Sequence, residues 1–320
     1  MKSNNIIILC KPKKNKNYIV TIAIGKKYFL RWKKFAFPSW QNYCKKHDLG
    51  LLVFTNDLLS KNDPKWKKPT WQKLLIGSRI LDHNLKIENV CYLDSDTLIN
   101  YFTAPDVFKK YIQKNIGLVS HWKNLPYSHH EVMRRIAFNR HYYYSNQYPL
   151  DSSIFMTPKQ IFRYHKLKAF DDYACMGFII FNVKNHSQIM EKWFYKYKSN
   201  VKTLTGGGDE PILNYEFLNY NKISWLDFKF QVMWLLEIAW KYPFLYRLKK
   251  KQSDIIIDCI EASLSTSFFL HFAGSWYESN MWLHKKIYNS KNKIQYNNKF
   301  KKFLDLRVTA KPTKRSLPNK

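Results

Sequence analysis

The strongest constraint on the fold is an alternation of two periodicities along the first hundred residues. "YIVTIAIG" (residues 18 to 25) is an apolar run of strand length, and "KKYFLRWKKFAFPSWQNYCKKHD" after it carries apolar residues at helical spacing. The pattern then repeats. "LGLLVFTND" reads as a second strand, and "KKPTWQKLLIGSRILDHN" as a helix opened by Pro69 with Trp71, Leu74, Leu75 and Ile80 on its apolar side. "NVCYLDSDTLIN" (residues 89 to 100) follows as a third strand. Unbroken apolar strands are covered on both faces, so the alternation predicts an α/β fold with a mainly parallel, Rossmann-like central sheet flanked by helices. In such sheets ligands gather at the carboxyl ends of the strands, where Asp94 and Asp96 fall.

After "NIGLVSHW" (residues 115 to 122) the regular pattern stops, and His, Tyr, Arg and Asn dominate to about residue 170. Residues 121 to 172 therefore read as a helical or irregular insert for substrate recognition. Regular signals return with "MGFIIFNV" (strand), "SQIMEKWFYKY" (helix), "GGGDEPILNYEFLN" (glycine-rich turn opening a helix) and "SFFLHFAGS" (strand ending in a loop). One domain over 1–284 is expected. Residues 285–320 form a basic C-terminal extension: from His284 onward twelve Lys or Arg face one acid, Asp305, which predicts a partly mobile tail.

With 320 residues, 45% hydrophobic and 17% aromatic, the chain can bury a sizeable core. Its 54 Lys and Arg against 23 Asp and Glu leave +31, which favours an anionic partner: nucleic acid, a phosphate-bearing substrate or an acidic membrane surface. The five cysteines are scattered and never form Cys-x-x-Cys, as suits a reducing compartment. No run approaches the 18 or so apolar residues of a membrane span, and "IIILC" is short for a signal-peptide core, so a cytoplasmic protein is expected. "KYPFLYRLKKK" (residues 241 to 251) and the tail offer peripheral contact with an anionic membrane, although a solvated basic surface explains them equally well.

Three stretches carry chemistry. Residues two apart in a strand project from one face roughly 7 Å apart, so Asp94 and Asp96 can approach one cation while Ser95 points away. Hard oxygen ligands of this kind suit Mg2+ or Mn2+, which also coordinate substrate phosphate. A turn that merely ends a strand is the competing reading. The apolar residues on both sides count against it, because burying two unpaired carboxylates beside a core is costly. In "GGGDEPILN", Gly206 to Gly208 permit close backbone approach to a ligand, and Asp209 and Glu210 sit at a helix N-terminus beside Pro211; a plain helix cap by Asp209 fits the same residues. In "FLHFAGS", His271 ends a short strand, and Gly274-Ser275 open a turn whose amides can bind phosphate.

The ordered set "PTWQKLL", "YLDSDTLI", "MGFIIFNV", "GDEPILN" and "LHFAGS", over about residues 18 to 276, resembles the retaining glycosyltransferases of the GT-A fold, the family of glycogenin and bacterial lipopolysaccharide galactosyltransferases. The resemblance implies a metal-dependent hexosyltransferase that uses a nucleotide-sugar, UDP-linked, and transfers to a glycan, lipid-linked or protein acceptor held on the side of the insert. It implies that Asp94 and Asp96 hold Mn2+ (or Mg2+) with His271 completing the metal shell, and that Asp94, Ser95 and Asp96 contact the donor. Lys73 matches a basic donor contact, Thr21, Ile22 and Ala23 the segment that cradles uracil and ribose, Gly177 the glycine of an Asn-Ala-Gly segment, and Gly274 and Ser275 the phosphate-side loop. Asp209 and Glu210 match an Asp-Gln pair beside the sugar and are the catalytic candidates. The chain departs from the family at Cys175-Met176, where the family has Asn, at Glu210 in place of an amide, and in lacking a lysine soon after "HFAG". The sugar, the acceptor, and retention against inversion stay open.

A nucleic-acid-binding protein is the contrasting reading, drawn from the charge and from "RWKKFAFPSW". Its basic residues are spread along the chain and it leaves both acidic motifs unexplained, so no nucleic-acid partner is expected. A catalytically silent scaffold of the same fold is the third reading.

Overall fold

The computed structural model describes residues 6–123, 125–146, 155–201, 203–204, 208–248 and 253–283. Two glycines of the expected turn, Gly206 and Gly207, the lysines at 249–251 and the basic extension lie outside the described residues. The first half runs β1 (Ile6–Cys10), β2 (Asn17–Ile22), α1 (Lys26–Phe35), α2 (Phe37–His47), β3 (Gly50–Phe54), α3 (Pro69–Gln72), α4 (Ile76–Asp82), β4 (Asn89–Leu93), β5 (Thr97–Ile99) and β6 (Ile116–Val119). The second half runs α5 (His129–Tyr143), α6 (Pro158–Tyr164), β7 (Phe178–Asn182), α7 (Val183–Lys196), α8 (Glu210–Tyr220), β8 (Ile223–Leu226), β9 (Val232–Met233), α9 (Trp234–Lys241), α10 (Ser253–Thr266) and β10 (Phe269–His271).

Seven strands form the main sheet in the order β1-β3-β2-β4-β7-β6-β8. The α/β expectation holds, but the sheet is mixed rather than mainly parallel. β3–β2, β2–β4 and β6–β8 pair parallel, whereas β1–β3, β4–β7 and β7–β6 pair antiparallel. Period-two alternation divides the core between the two faces. Cys91 and Leu93 of β4 join Trp32 and Trp40 of α1 and α2 on one side. Val90 and Tyr92 meet Leu74, Ile80, Met190, Trp193 and Phe217 on the other.

A second, three-stranded sheet, β5-β10-β9, positions the site. β10 pairs antiparallel with β5 in a register that sets His271 opposite Thr97, one residue after Asp96. The helix predicted from Pro69 is broken into α3, a 3-10 turn at Lys73–Leu75, and α4. Within "KYPFLYRL", Leu245 and Tyr246 are buried and Phe244 is 45% exposed.

Candidate metal and nucleotide-sugar site

β4 ends at Leu93, and Asp94 to Asp96 form a tight turn before β5. The two carboxylates thus converge through a turn, not from one face of a continuing strand. Backbone bonds hold the turn from two sides: Asp94 N–H donates to the Gly177 carbonyl at 2.9 Å, and Phe272 N–H to the Asp96 carbonyl at 3.0 Å. The Tyr92 hydroxyl donates to Asp94 Oδ1. Strand alternation makes this partner legible, because Tyr92 stands two residues before Asp94.

His271 Nε2 lies 3.2 Å from Asp96 Oδ1 and 3.7 Å from Asp94 Oδ2. His271 is buried and its Nε2 makes no hydrogen bond. Burial alone would lower the imidazole pKa, but Cys175 and Asp96 beside it outweigh that and raise it well above the ordinary value. One ligand atom each from Asp94, Asp96 and His271 all lie within 4.8 Å of one another. Atoms bound to one Mg2+ or Mn2+ at roughly 2.1 Å stand about 3 to 4 Å apart, which both contacts of His271 Nε2 match, so a small closure of the two carboxylates would complete a divalent-cation site. Two carboxylate oxygens with one imidazole form a donor set that Mn2+ accepts readily. Gly177 provides the space. A Cβ built there would stand 2.4 Å from His271 Cε1 and 2.7 Å from Asp94 Oδ2.

Beneath this cluster lies a buried ion pair. Lys73 Nζ is 3.2 Å from Asp209 Oδ2 and donates to the Met176 carbonyl at 2.6 Å. Burial alone would lower the Lys73 pKa, but Asp209 and Asp94 overcome it and keep the ammonium above its usual range. Asp209 occupies the N-cap position of α8, yet its side chain makes no capping bond. Its carboxylate serves Lys73 instead. Next to it, burial and the charge of Asp209 push the Glu210 carboxyl up to about 7.

The carboxylate turn opens onto a cleft of about 860 Å³. Ile22, Ala23, Asp94, Ser95, Asp96, Gly274 and Ser275 line it. Gly274 has φ +105°, a conformation that only glycine adopts easily, so the turn after β10 depends on it. Thr21, Lys73, Gly177, Asp209, Glu210 and His271 are not part of this wall. The Thr21 hydroxyl is buried and donates to the Leu93 carbonyl at 2.7 Å, closing the end of β4. Sequence reasoning missed Tyr28, Arg31, Lys61, Lys68 and Trp282 in the lining. For Tyr28 and Arg31 the available signal was their place in the first turns after β2, at a strand's carboxyl end. For Lys61, Lys68 and Trp282 there was none.

No protein-family model matches the chain, and neither does any curated protein. Among solved structures it is similar to a glycosyltransferase involved in glycosylation of the major capsid of PBCV-1, at 10% identity and TM-score 0.47, over 84% of this chain and 99% of that one. It is also similar to the apo-form glycosyltransferase GlyE of Streptococcus pneumoniae TIGR4, at 15% identity and TM-score 0.44, over 95% of this chain and 66% of that one. A third is the galactosyltransferase LgtC in complex with donor and acceptor sugar analogues, at 12% identity and TM-score 0.38, over 86% and 95%. At these scores the likeness carries no weight for activity, which is read from the residues of the site.

Proposed function

We propose that the chain is a metal-dependent glycosyltransferase that moves a hexose or related sugar from a nucleotide-sugar, UDP-linked, to a glycan, lipid-linked or protein acceptor with retention. The observation that carries this reading is the buried Nε2 of His271 standing 3.2 Å and 3.7 Å from two carboxylates at the wall of a nucleotide-sized cleft. Asp94, Asp96 and His271 would hold Mn2+ or Mg2+, and the cation would offset the negative charge that a diphosphate leaving group develops. Ile22 and Ala23 would give the base and ribose an apolar wall, while Arg31, Lys61, Lys68 and the Gly274-Ser275 turn would receive the phosphates.

Asp209, committed to Lys73, would orient the sugar, and Glu210 would be the group that handles a proton near neutral pH. That raised Glu210 pKa also favours a second reading: if Glu210 removes the acceptor proton from the face opposite the donor, the same site inverts.

The test is nucleoside diphosphate release from a panel of nucleotide-sugars, with and without Mn2+ and with candidate acceptors. The expected result is metal-dependent turnover by the wild type and a loss of at least about a hundredfold in Asp94→Ala and Asp96→Ala, with melting temperatures little changed. No hydrolysis or transfer with any donor would sink the enzyme reading. The anomeric configuration of the product separates retention from inversion.

We also infer peripheral contact with an anionic membrane. Leu245 and Tyr246 are buried in the fold, so apolar insertion from that segment would fall to Phe244 and the attraction would be mainly electrostatic. Co-sedimentation with vesicles containing acidic lipid should fall steeply as salt rises from about 50 to about 300 mM, because the Debye length shortens over that range. Absence of binding at the lowest salt would dispose of the idea.

A further inference from the structure

We infer that Cys175 is a positioning residue for His271: its sulfur engages Nδ1 and thereby leaves the Nε2 lone pair for the cation. This rests on the metal reading of the site. Cys175 Sγ lies 3.7 Å from His271 Nδ1, and both residues are buried. On the opposite edge of the ring, Nε2 faces Asp96 and Asp94 and makes no hydrogen bond. A neutral imidazole has one N–H and one lone pair, so the partner of one nitrogen decides the role of the other. With the proton on Nδ1 and directed at sulfur, Nε2 is a ligand. With the proton on Nε2, the lone pair faces the thiol and the imidazole binds no metal.

Histidines that bind metal usually direct the second nitrogen to a carboxylate or a backbone carbonyl. Here a thiol takes that place, a weaker acceptor within the same reach. It is held there firmly. The Asn214 side chain accepts from Ala174 N–H at 2.7 Å and donates to the Ala174 carbonyl at 2.8 Å. Gln231 Nε2 donates to the Cys175 carbonyl at 3.1 Å. Asn214 Nδ2 also donates to the Glu210 carbonyl at 3.0 Å, so one buried amide joins the segment bearing Cys175 to the helix bearing Glu210. Beneath the ring, Gly177 leaves no Cβ, so the ring is oriented by the groups at its two nitrogens, the sulfur at Nδ1 and the carboxylates at Nε2.

The experiment measures Mn2+ binding directly, by the electron paramagnetic resonance signal of free Mn2+, in the wild type, Cys175→Ala, His271→Ala and the double variant. Losing an outer-shell partner weakens metal affinity by about 10- to 100-fold. Cys175→Ala should raise the Mn2+ Kd about tenfold with a cooperative melt retained, and should add nothing in the His271→Ala background. If Cys175→Ala does not fold, Cys175→Val, which fills the space without offering an acceptor, replaces it in the same cycle, with the same coupling expected. Two outcomes overturn the inference alone: wild-type affinity in the cysteine variant, or an equal loss with and without His271, which would mark Cys175 as packing only. A wild type that binds no Mn2+ would overturn both this inference and the metal reading.

Discussion

Lys73 and Asp209 form a pair that neither residue can leave cheaply. Lys73 is 2% exposed and Asp209 5%, and their contact is direct at 3.2 Å. Removing one member of a buried ion pair strands the other charge and costs about 3–5 kcal/mol, whereas replacing both with apolar residues of similar volume is often near neutral. Lys73→Ala and Asp209→Ala should therefore each lower the urea midpoint strongly, and Lys73→Met with Asp209→Leu should recover most of the loss. Single variants within about 1 kcal/mol of wild type would contradict a tightly coupled pair. Asp94, Asp96 and His271 were legible in the sequence because strand ends concentrate ligands and the motifs keep their order. The partnership of Lys73 with Asp209 was not, since Asp209 reads as a cap until the fold brings a lysine 136 residues away in sequence beside it. Cys175 was legible only as a departure from a pattern, because its meaning depends on a ring 96 residues further along.

At the scale of elements, α4 packs against α7 more closely than side chains permit. A Cβ at Gly77 would lie 2.1 Å from Ser187 Oγ, 2.9 Å from its Cβ and 3.1 Å from its Cα. The Ser187 hydroxyl cannot simply turn away, because it donates to the Val183 carbonyl at 2.5 Å. Alanine gains up to about 1 kcal/mol of helix propensity over glycine, while overpacking costs about 1–3 kcal/mol. The backbone contact lets the second effect win. Gly77→Ala should thus be net destabilising in thermal melts, and a stabilised variant would show that the two helices separate freely. Helix and strand periods revealed most elements along the first hundred residues, but not this contact or the 3-10 turn at Lys73–Leu75. Strand direction was hidden for a related reason. Between β4 and β7 the chain passes through β5, β6, α5 and α6, and a connection of that length allows either direction. Apolar composition alone does not choose between them.

For the whole molecule, several titrating groups near neutral pH have been moved by burial, and together they give stability a pH slope. Burial and neighbouring histidines lower His121 to about 3, and burial with His130 lowers His129 to about 4, from 6.5. Burial also lowers His47, His165 and His186. Below pH 6.5 the unfolded chain binds protons that these folded histidines refuse, so their contribution is present above 6.5 and is lost as pH falls. Glu210 works in the opposite sense. Its folded value of about 7 exceeds the ordinary 4.5, so the folded state holds a proton that the unfolded state has released, and stability falls as pH rises through that interval. Between pH 4.5 and 6.5, His121 and His129 give the unfolded state two extra protons and Glu210 gives the folded state one. The difference of one proton makes stability rise with pH by about 1.4 kcal/mol per unit, and the three other histidines steepen it. Urea denaturation midpoints should therefore climb from about pH 5 to 6.5 and turn down above that, where His271, held well above its ordinary 6.5, keeps a proton that the unfolded chain releases. His129→Gln should flatten the climb, and Glu210→Gln should steepen it while leaving the decline above 6.5 that His271 supplies. A midpoint independent of pH over that range would show that these histidines are as solvated in the folded chain as in the unfolded one.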